Sequence, residues 1–278
     1  MQLNRRKFLQ QGTLAALATV TLPSWASAAA KKKFITGVQL YSVREDMRKD
    51  PLATLKAVAE MGYKNVEHAN YVNRKFYGFT ATEFKKILAD LGMKMPSGHT
   101  VMGASHWDAA KKDFTDSWKY TIEDAAVVGQ ELVISPSLES GLRKSKDDML
   151  RFMEVFNKSG ELCKKSGMRF GYHNHDFEFF AIDGVIPYDI LLTETDKNLV
   201  KFEVDHYWTR KANVDTKKLI KKNQGRFPLF HIKDMDNTSE KSFAPVGTGI
   251  IDWKQVFKLA PKAGLDLFFV EQDTCTKL

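Results

Sequence analysis

The chain has 278 residues, 43% of them hydrophobic and 27% charged, with a formal net charge of +8. This composition is ordinary for a globular protein with one large domain or two small ones. Its lysines are scattered over predicted helices and are not interleaved with aromatic residues, which does not indicate a nucleic-acid partner. The two cysteines, Cys163 and Cys275, fit neither a disulfide framework nor a zinc motif.

Residues 1–28 predict a cleaved export signal. They contain a basic cluster, an apolar run too short to span a bilayer comfortably, and small residues at 26–28 where signal peptidase would cut. The adjacent Arg5 and Arg6 resemble the twin-arginine pattern, although Asn4 stands where Ser or Thr is usual. A retained N-terminal anchor is the alternative. We expect an exported, periplasmic protein with no membrane attachment after cleavage.

Cleavage would also change the charge of the chain. The signal takes three basic residues with it and no acid, so the net charge falls from +8 to +5. The remaining domain, residues 34–278, is only mildly basic.

Eight short apolar segments of this domain are typical of β-strands, and glycine often separates them from the preceding helical pattern, as a helix C-cap does. In chain order they are ITGVQLYSV from Ile35, NVEHA from Asn65, KMPSGHT from Lys94, ELVISPS from Glu131, MRFGYHNH from Met168, VKFEVDHYW from Val200, FPLFHIKDM from Phe227 and LDLFFVEQD from Leu265.

Seven amphipathic segments lie between these strands and predict helices. They are PLATLKAVAEMG, ATEFKKILADLG, WKYTIEDAAVVG, KDDMLRFMEVFNKSGELCKKSG, VIPYDILLTETDKN, DTKKLIKKNQGR and DWKQVFKLAPKAG. Alternating strands and helices predict parallel β-α units, and eight such units close into a (β/α)8 TIM barrel. A doubly wound open sheet is the alternative, but its GxGxxG or P-loop signature is missing after the first strand.

The predicted barrel lacks its final helix, because the sequence continues for only seven residues after Glu271. We therefore expect the outer face of the last strand to be partly uncovered, unless a partner or the N-terminal segment covers it or the reading frame is truncated. A homodimer formed through the exposed outer strands would provide such a cover.

Polar residues stand at the predicted C-terminal ends of the strands, where the functional groups of a parallel barrel gather. They are Glu67, His99, His173, His175, Asp205, His231, Lys233 and Glu271. One such residue is more often hydrogen-bonded or salt-bridged than a ligand, but burying all of them is costly unless they are paired or bind a metal. Two imidazoles and two carboxylates are placed to hold one divalent ion: His173, Asp205, His231 and Glu271. Nitrogen and oxygen ligands together favour Mn, Zn, Co or Fe over Ca.

The segments YHNHDFEF, EVDHYW, HIKDM, PVGTGIIDW and FFVEQD resemble those of the xylose-isomerase-like TIM barrels, a family of sugar isomerases and epimerases, inosose dehydratases and endonuclease IV-type repair enzymes. The resemblance runs from VQLYSVR at the first strand to VEQD at the last. It implies one metal bound by Glu, Asp, His and Glu at the ends of strands five to eight. Asp205, His231 and Glu271 match the last three places, whereas His173 stands where the family's E-N-H run has its Glu.

The resemblance and these residues predict a metal-dependent sugar isomerase or epimerase that abstracts a proton next to a carbonyl. Glu271 is the expected base or orienting carboxylate, and His175 the acid or base that serves a hydroxyl or leaving oxygen. Lys233 is either the electrostatic partner of a developing enolate or a structural ion pair with Asp234 or Glu203.

The alternative on the same metal is a lyase or dehydratase acting on a keto-sugar or 3-keto-glycoside. The departure at His173 favours it, because an imidazole that binds a metal cannot also accept a proton there, and a two-glutamate epimerisation then lacks one of its bases. Two further hypotheses are a DNA-repair nuclease, which the export signal disfavours, and a sugar-binding barrel without activity.

Glu67 and His99 are predicted substrate contacts, and Trp208 with Tyr207 would form an apolar floor for a sugar ring, although core packing explains those two rings equally well. The site has no Arg cluster or Gly-rich loop for a phosphate. The GTG run at 247–249 is the one candidate, and a turn into the next helix explains it better. The expected partner is therefore a small, unphosphorylated sugar.

Overall fold

The computed structural model describes residues 34–274. Eight parallel strands form a closed barrel, in which each strand pairs with its neighbours along the chain and the last pairs with the first. The strands are β1 (Ile35–Gln39), β2 (Asn65–His68), β3 (Lys94–His99), β4 (Leu132–Ser135), β5 (Arg169–His173), β6 (Val200–Asp205), β7 (Leu229–Ile232) and β8 (Leu267–Val270). The predicted TIM barrel and all eight of its strands are confirmed. The signal segment and Cys275 lie outside the described residues.

All seven predicted helical segments are helical, and the last is divided in two. The helices are α1 (Arg44–Lys49), α2 (Pro51–Glu60), α3 (Ala81–Asp90), α4 (Asp116–Val128), α5 (Lys146–Lys165), α6 (Pro187–Glu194), α7 (His206–Lys211), α8 (Thr216–Lys222), α9 (Trp253–Lys258) and α10 (Ala260–Ala263). The division between α9 and α10 falls at Leu259, two residues before Pro261, whose ring removes a backbone donor. None of these helices combines the length and the apolar character that crossing a membrane requires.

Helices α1 and α7 were not predicted from the sequence. Helix α1 has acidic residues in its first turn and basic residues in its last, which complements the helix dipole. Helix α7 begins directly after β6 because the Asp205 side chain accepts hydrogen bonds from the backbone N–H groups of Tyr207 and Trp208. The segment EVDHYW is therefore a strand followed at once by a helix.

The strands separate two apolar layers. Leu132, Ile134, Leu229, Leu267 and Phe269 form a small buried cluster, while neighbouring strand residues belong to the large core shared with the helices. Alternation along each strand produces this separation, since successive side chains point to opposite faces.

The outer face of β8 is covered, and the expectation of an exposed face is wrong. Phe268 and Val270 are both buried, and the Phe268 ring lies 5.1 Å from that of Phe257 in α9. No helix follows β8 among residues 271–274, but the preceding one packs against it. The described residues thus supply the cover for which a partner had been expected.

Short antiparallel ribbons extend three loops beyond the C-terminal ends of the strands. They pair Tyr71–Val72 with Lys75–Phe76, Trp107–Asp108 with Asp113–Phe114, and Asp234–Met235 with Phe243–Ala244. These ribbons follow β2, β3 and β7, so they rise on the side of the barrel where the strand-end residues meet.

The turn at 247–249 is organised by the buried carboxylate of Asp234. Its oxygens accept hydrogen bonds from the backbone N–H groups of Gly247, Gly249 and Ile251 and from Trp253 Nε1, at 2.9 to 3.2 Å. A Cβ at Gly249 would come within 2.3 Å of this carboxylate. The turn therefore leads into α9, as expected, and its amides are already occupied by the chain's own anion.

Replacing Asp234 by Ala should lower the free energy of unfolding by about 2 to 3 kcal/mol, because buried donors lose a charged acceptor. Urea denaturation at neutral pH measures the change. Asp236→Ala, on the same ribbon but partly exposed, is the matched control and should cost at most about 1 kcal/mol, since water can replace its acceptor. Equal losses in the two variants would contradict this role for Asp234.

Candidate active site

A cavity of about 840 Å³ opens at the C-terminal ends of the strands. Its volume falls in the upper part of the range for small-molecule pockets, about 300 to 1,000 Å³. The strand-end residues that line it are His99, His173, His175, Lys233, Glu271 and Asp273. Most of the predicted polar residues therefore reach one cavity.

Beneath this cavity, β6 presents two carboxylates, Glu203 and Asp205, which are two residues apart and lie on the same face of the strand. Asp205 Oδ1 accepts the N–H groups that begin α7, while the buried Oδ2 lies 3.0 Å from Lys233 Nζ. Asp205 Oδ2 lies 3.8 Å from His173 Nε2. This distance is too long for a hydrogen bond but suits two atoms that bind a common cation.

His231 lies between two carboxylates, with its Nδ1 2.7 Å from Glu271 Oε2 and its Nε2 2.7 Å from Glu67 Oε2. Burial opposes a charge on the ring, but Glu203, Glu271 and Glu67 outweigh it and raise the pKa of His231 well above its ordinary value. If Nδ1 bound a metal, Nε2–H would still donate to Glu67. That carboxylate–histidine–metal arrangement commonly orients a metal-binding histidine.

Glu203 organises the remaining histidines. Its Oε2 lies 2.6 Å from His99 Nε2 and 3.1 Å from His173 Nδ1, and its Oε1 lies 3.2 Å from His231 Nε2. Although burial opposes ionisation, His231 and His99 hold the pKa of Glu203 well below its ordinary value. Burial lowers the pKa of His173 well below its usual range, so this ring is neutral and able to donate a lone pair.

Glu203 was not predicted from the sequence as a residue of the site. The spacing of Glu203 and Asp205 was the available signal, since residues two apart on a strand share a face.

Lys233 is a buried ammonium paired with three carboxylates. Its Nζ lies 3.0 Å from Asp205 Oδ2, 2.9 Å from Glu271 Oε2 and 2.8 Å from Asp273 Oδ1. Burial alone would lower the pKa of Lys233, but these acids raise it well above its ordinary value. The pairing partners considered from sequence, Asp234 and Glu203, are not among these contacts.

The three residues of the H-N-H run, 173–175, have different positions and contacts. Strand β5 ends at His173, so His175, which was predicted as the last residue of this strand, lies in the loop that follows it. Asn174 Oδ1 accepts the backbone N–H of Asp205, while the backbone N–H of His175 donates to Glu178. Burial and the charge of Lys233 lower the pKa of His175 to about 4, and its Nδ1 is buried without a hydrogen-bond partner.

Glu178 is the second acid of YHNHDFEF, and it positions His175. Its carboxylate accepts the Tyr172 hydroxyl at 2.6 Å and the His175 N–H at 2.8 Å. Burial raises the pKa of Glu178 to about 7 despite these hydrogen bonds. Phe177 lies parallel to the His175 ring, with centroids 5.9 Å apart.

Two groups of potential metal ligands converge here, each with donor atoms within 4.8 Å of one another. The first contains Asp205, His231 and Glu271, and the second contains His99, His173, Glu203 and His231. The mixed nitrogen and oxygen donors of these two groups fit a divalent transition metal. The four predicted ligands are thus divided between two groups that share His231.

Two predicted substrate contacts do not line the cavity. Glu67 is buried beneath it, where Gln39 donates to the same oxygen that faces His231. Trp208 lies in the first turn of α7, and its ring contacts those of His175 and Phe243. Tyr207 is in the core and donates its hydroxyl to the carbonyl of Lys241. His99 does line the cavity.

Residues 55–273 match the family described as xylose isomerase-like TIM barrel. The chain belongs to this family. No curated protein sequence matches it significantly.

Similar solved structures extend the comparison. A sugar phosphate isomerase/epimerase from Parabacteroides distasonis ATCC 8503 is similar at 28% identity and a TM-score of 0.76, covering 91% of this chain and 90% of that one. D-psicose 3-epimerase is similar at 14% identity and a TM-score of 0.64, covering 86% and 85%. The IOLI protein with a bound zinc atom has 14% identity and a TM-score of 0.66, covering 86% and 89%. The last two similarities concern the fold alone.

Glu178→Gln should remove a pH-dependent loss of stability. Because folding raises the pKa of Glu178 from 4.5 to about 7, the parent protein loses stability as the pH rises through that interval. Between pH 4.5 and pH 8, the unfolding free energy of the parent should therefore fall relative to that of the variant by up to about 3 kcal/mol. Urea denaturation at pH 4.5 and pH 8 measures it, and a constant difference would contradict the burial effect.

The metal content of the protein should depend on the first group of potential ligands and on Glu67, the carboxylate that contacts His231. Asp205→Asn and Glu271→Gln should abolish stoichiometric binding, and Glu67→Gln should weaken it by about 10- to 100-fold because His231 loses its orienting partner. Elemental analysis and metal titration of the purified full chain measure both. Glu178→Gln is the control, a buried carboxylate outside both groups, and should bind as the parent does. If the parent binds none of Mn, Zn, Co and Fe, the proposed metal site is contradicted.

Proposed function

We propose that this chain is a metal-dependent isomerase or epimerase of an unphosphorylated keto-sugar. The observation that carries the proposal is the convergence of Asp205, His231 and Glu271, of which Glu271 lines a cavity of about 840 Å³. Sugar isomerases and epimerases among the similar structures support the same class.

Asp205, His231 and Glu271 would hold the ion, with His173 on the neighbouring donor group. A bound divalent cation polarises a carbonyl and its adjacent hydroxyl, which makes the C–H between them more acidic. Glu271 lines the cavity and is ionised, because Lys233 and His231 overcome the effect of burial and hold its pKa well below the ordinary value. It can therefore accept that proton without first losing one of its own.

Lys233 and His175 complete the proposed chemistry. The Lys233 ammonium places positive charge beside Glu271, where negative charge develops on the substrate oxygen. His175 is neutral at pH 7, so it acts first as a base that accepts a hydroxyl proton and later returns it. Delivery of the proton held by Glu271 to the neighbouring carbon gives an isomer, whereas an epimer requires that a proton be donated to the original carbon from the opposite face.

The charges of the cavity support an unphosphorylated substrate. Apart from histidines, the cations lining it among residues 34–274 are Arg74 and Lys233. Arg74 is paired with Asp124 and Glu123, and Lys233 with three carboxylates. The amides of the turn at 247–249 are bound to Asp234. Each group that would receive a phosphate therefore already has an anion, although the name of the Parabacteroides protein includes a sugar phosphate.

A lyase or dehydratase is the second candidate, and one observation favours it. The position that carries a Glu in the family pattern is His173, whose Nδ1 is 3.1 Å from Glu203 Oε2 and whose ring is neutral. A second carboxylate base on the opposite side of the substrate is therefore missing at this position. Loss of a β-oxygen needs only one carbon base, with His175 protonating the leaving oxygen after it has accepted a hydroxyl proton.

We also propose that the protein acts in the periplasm, on the basis of the signal predicted at residues 1–28. Phosphorylated sugars are mostly cytoplasmic, so this location agrees with the substrate inferred from the cavity charges.

Solvent exchange tests the proposed chemistry. The full chain, loaded in turn with Mn, Zn, Co or Fe, should incorporate deuterium from heavy water next to the carbonyl of D-fructose, D-psicose or L-ribulose, as followed by NMR. Glu271→Gln should slow the exchange by at least about 100-fold, while Asp236→Asn, an acid outside the cavity, should not. An alkene or a released β-substituent would select the lyase, and no exchange with any metal would refute both candidates.

A further inference from the structure

The cavity extends well beyond the strand ends. Its outer part is lined by Tyr41 after β1, by the ribbon at 70–74, by Val101 after β3 and by Tyr120 of α4. A pocket of about 300 Å³ is enough for a small ligand, so a cavity of about 840 Å³ has room for more than the single sugar ring that the proposed reaction requires.

Exposed apolar side chains are concentrated in this outer part. Eight large apolar or aromatic side chains are exposed among residues 34–274, and four of them line the cavity: Tyr41, Val72, Val101 and Tyr120. Tyr41 and Tyr120 are 42% and 38% exposed. Exposed apolar surface gathered around one opening is typical of a binding site rather than of scattered surface residues.

The outer part is held in place by a buried acid. Asp124 accepts hydrogen bonds from the Tyr71 hydroxyl at 2.6 Å and from Arg74 Nε and Nη2 at 3.0 and 2.8 Å. The Arg74 guanidinium lies 4.1 Å from the centre of the Tyr120 ring. Asn73 and Arg74 both have left-handed backbones, with φ of +51° and +61°, as a tight turn of the ribbon requires. The ribbon and the Tyr120 ring are thus fixed before a ligand arrives, which reduces the entropy lost on binding.

The chemistry of this surface favours a neutral ring with an apolar face. Arg74 is neutralised by Asp124 and Glu123, so it does not present a free cation to an anion. Asn70, Asn73 and Ser117 add amide and hydroxyl groups to the lining. Aromatic rings surrounded by such groups suit a sugar unit, which has apolar C–H faces and hydroxyls at its edge.

We propose that the outer part of the cavity is a subsite for a second sugar unit, so that the substrate is a glycoside whose reacting ring lies at the strand ends. This inference rests on the proposed function for the location of the reacting ring, but it concerns binding alone. The residues assigned to it are Tyr41, Val72, Asn73, Val101 and Tyr120.

Calorimetric titration of the full chain tests the subsite with matched pairs: glucose against cellobiose and maltose, and galactose against lactose. At least one disaccharide should bind about tenfold more tightly than its monosaccharide, equivalent to about 1.4 kcal/mol. Tyr120→Ala should remove this advantage and leave monosaccharide binding unchanged, whereas Tyr120→Phe should retain it. Phe180→Ala is the control, because Phe180 is 55% exposed and does not line the cavity.

Phenyl β-glucoside extends the test to the kind of unit that the subsite accepts. If the disaccharides bind more tightly than phenyl β-glucoside, the subsite accepts a sugar unit. If phenyl β-glucoside binds more tightly, that assignment is overturned. Equal affinities within every pair, no binding of any disaccharide, or a Tyr120→Ala variant that weakens both members of a pair alike would each overturn the subsite. Metal content and deuterium exchange on monosaccharides report on the proposed function separately, so the two can fail independently.

Discussion

The structure depends on the pairing of charges where the eight strands converge. Barrel closure brings the buried carboxylates of Glu67, Glu203, Asp205 and Glu271 together. Unpaired, each would cost several kcal/mol of folding free energy. The Lys233 ammonium and the His231 ring, each in contact with more than one of these acids, offset that cost. The same pairing fixes the side-chain positions on which any reaction here must rely.

The Lys233 ammonium and a divalent metal ion would bind the same carboxylates. Asp205 Oδ2 and Glu271 Oε2 both contact Lys233, and both residues belong to the first group of potential metal ligands. An ion that binds there must share these oxygens with the ammonium or displace it. The affinity of these potential ligands for a metal would therefore depend on competition from Lys233 as well as on the ligands themselves.

The sequence predicted the barrel well because alternating β and α segments leave few other arrangements, and it located most of the polar residues because strand ends converge in such a barrel. It could not assign their contacts. The bond between Glu67 and His231 joins residues 164 positions apart. The partners of Lys233, Asp205 and Asp273 among them, come from other segments that only the closed barrel brings beside it. Helix α7 was missed because Asp205 was interpreted only as a ligand, although Asp is also a strong helix N-cap.

Lys233 and Asp234 are adjacent in the chain but make contacts in different parts of the structure. The first lies among the acids at the strand ends, while the second gathers the amides of the turn at 247–249. Such a ring of amides is the kind of cradle that binds phosphate in other proteins. One side chain thus determines whether these amides bind an anion of the chain itself or are left free. With a shorter residue in place of Asp234, the same turn would present unoccupied N–H groups to an external anion such as phosphate.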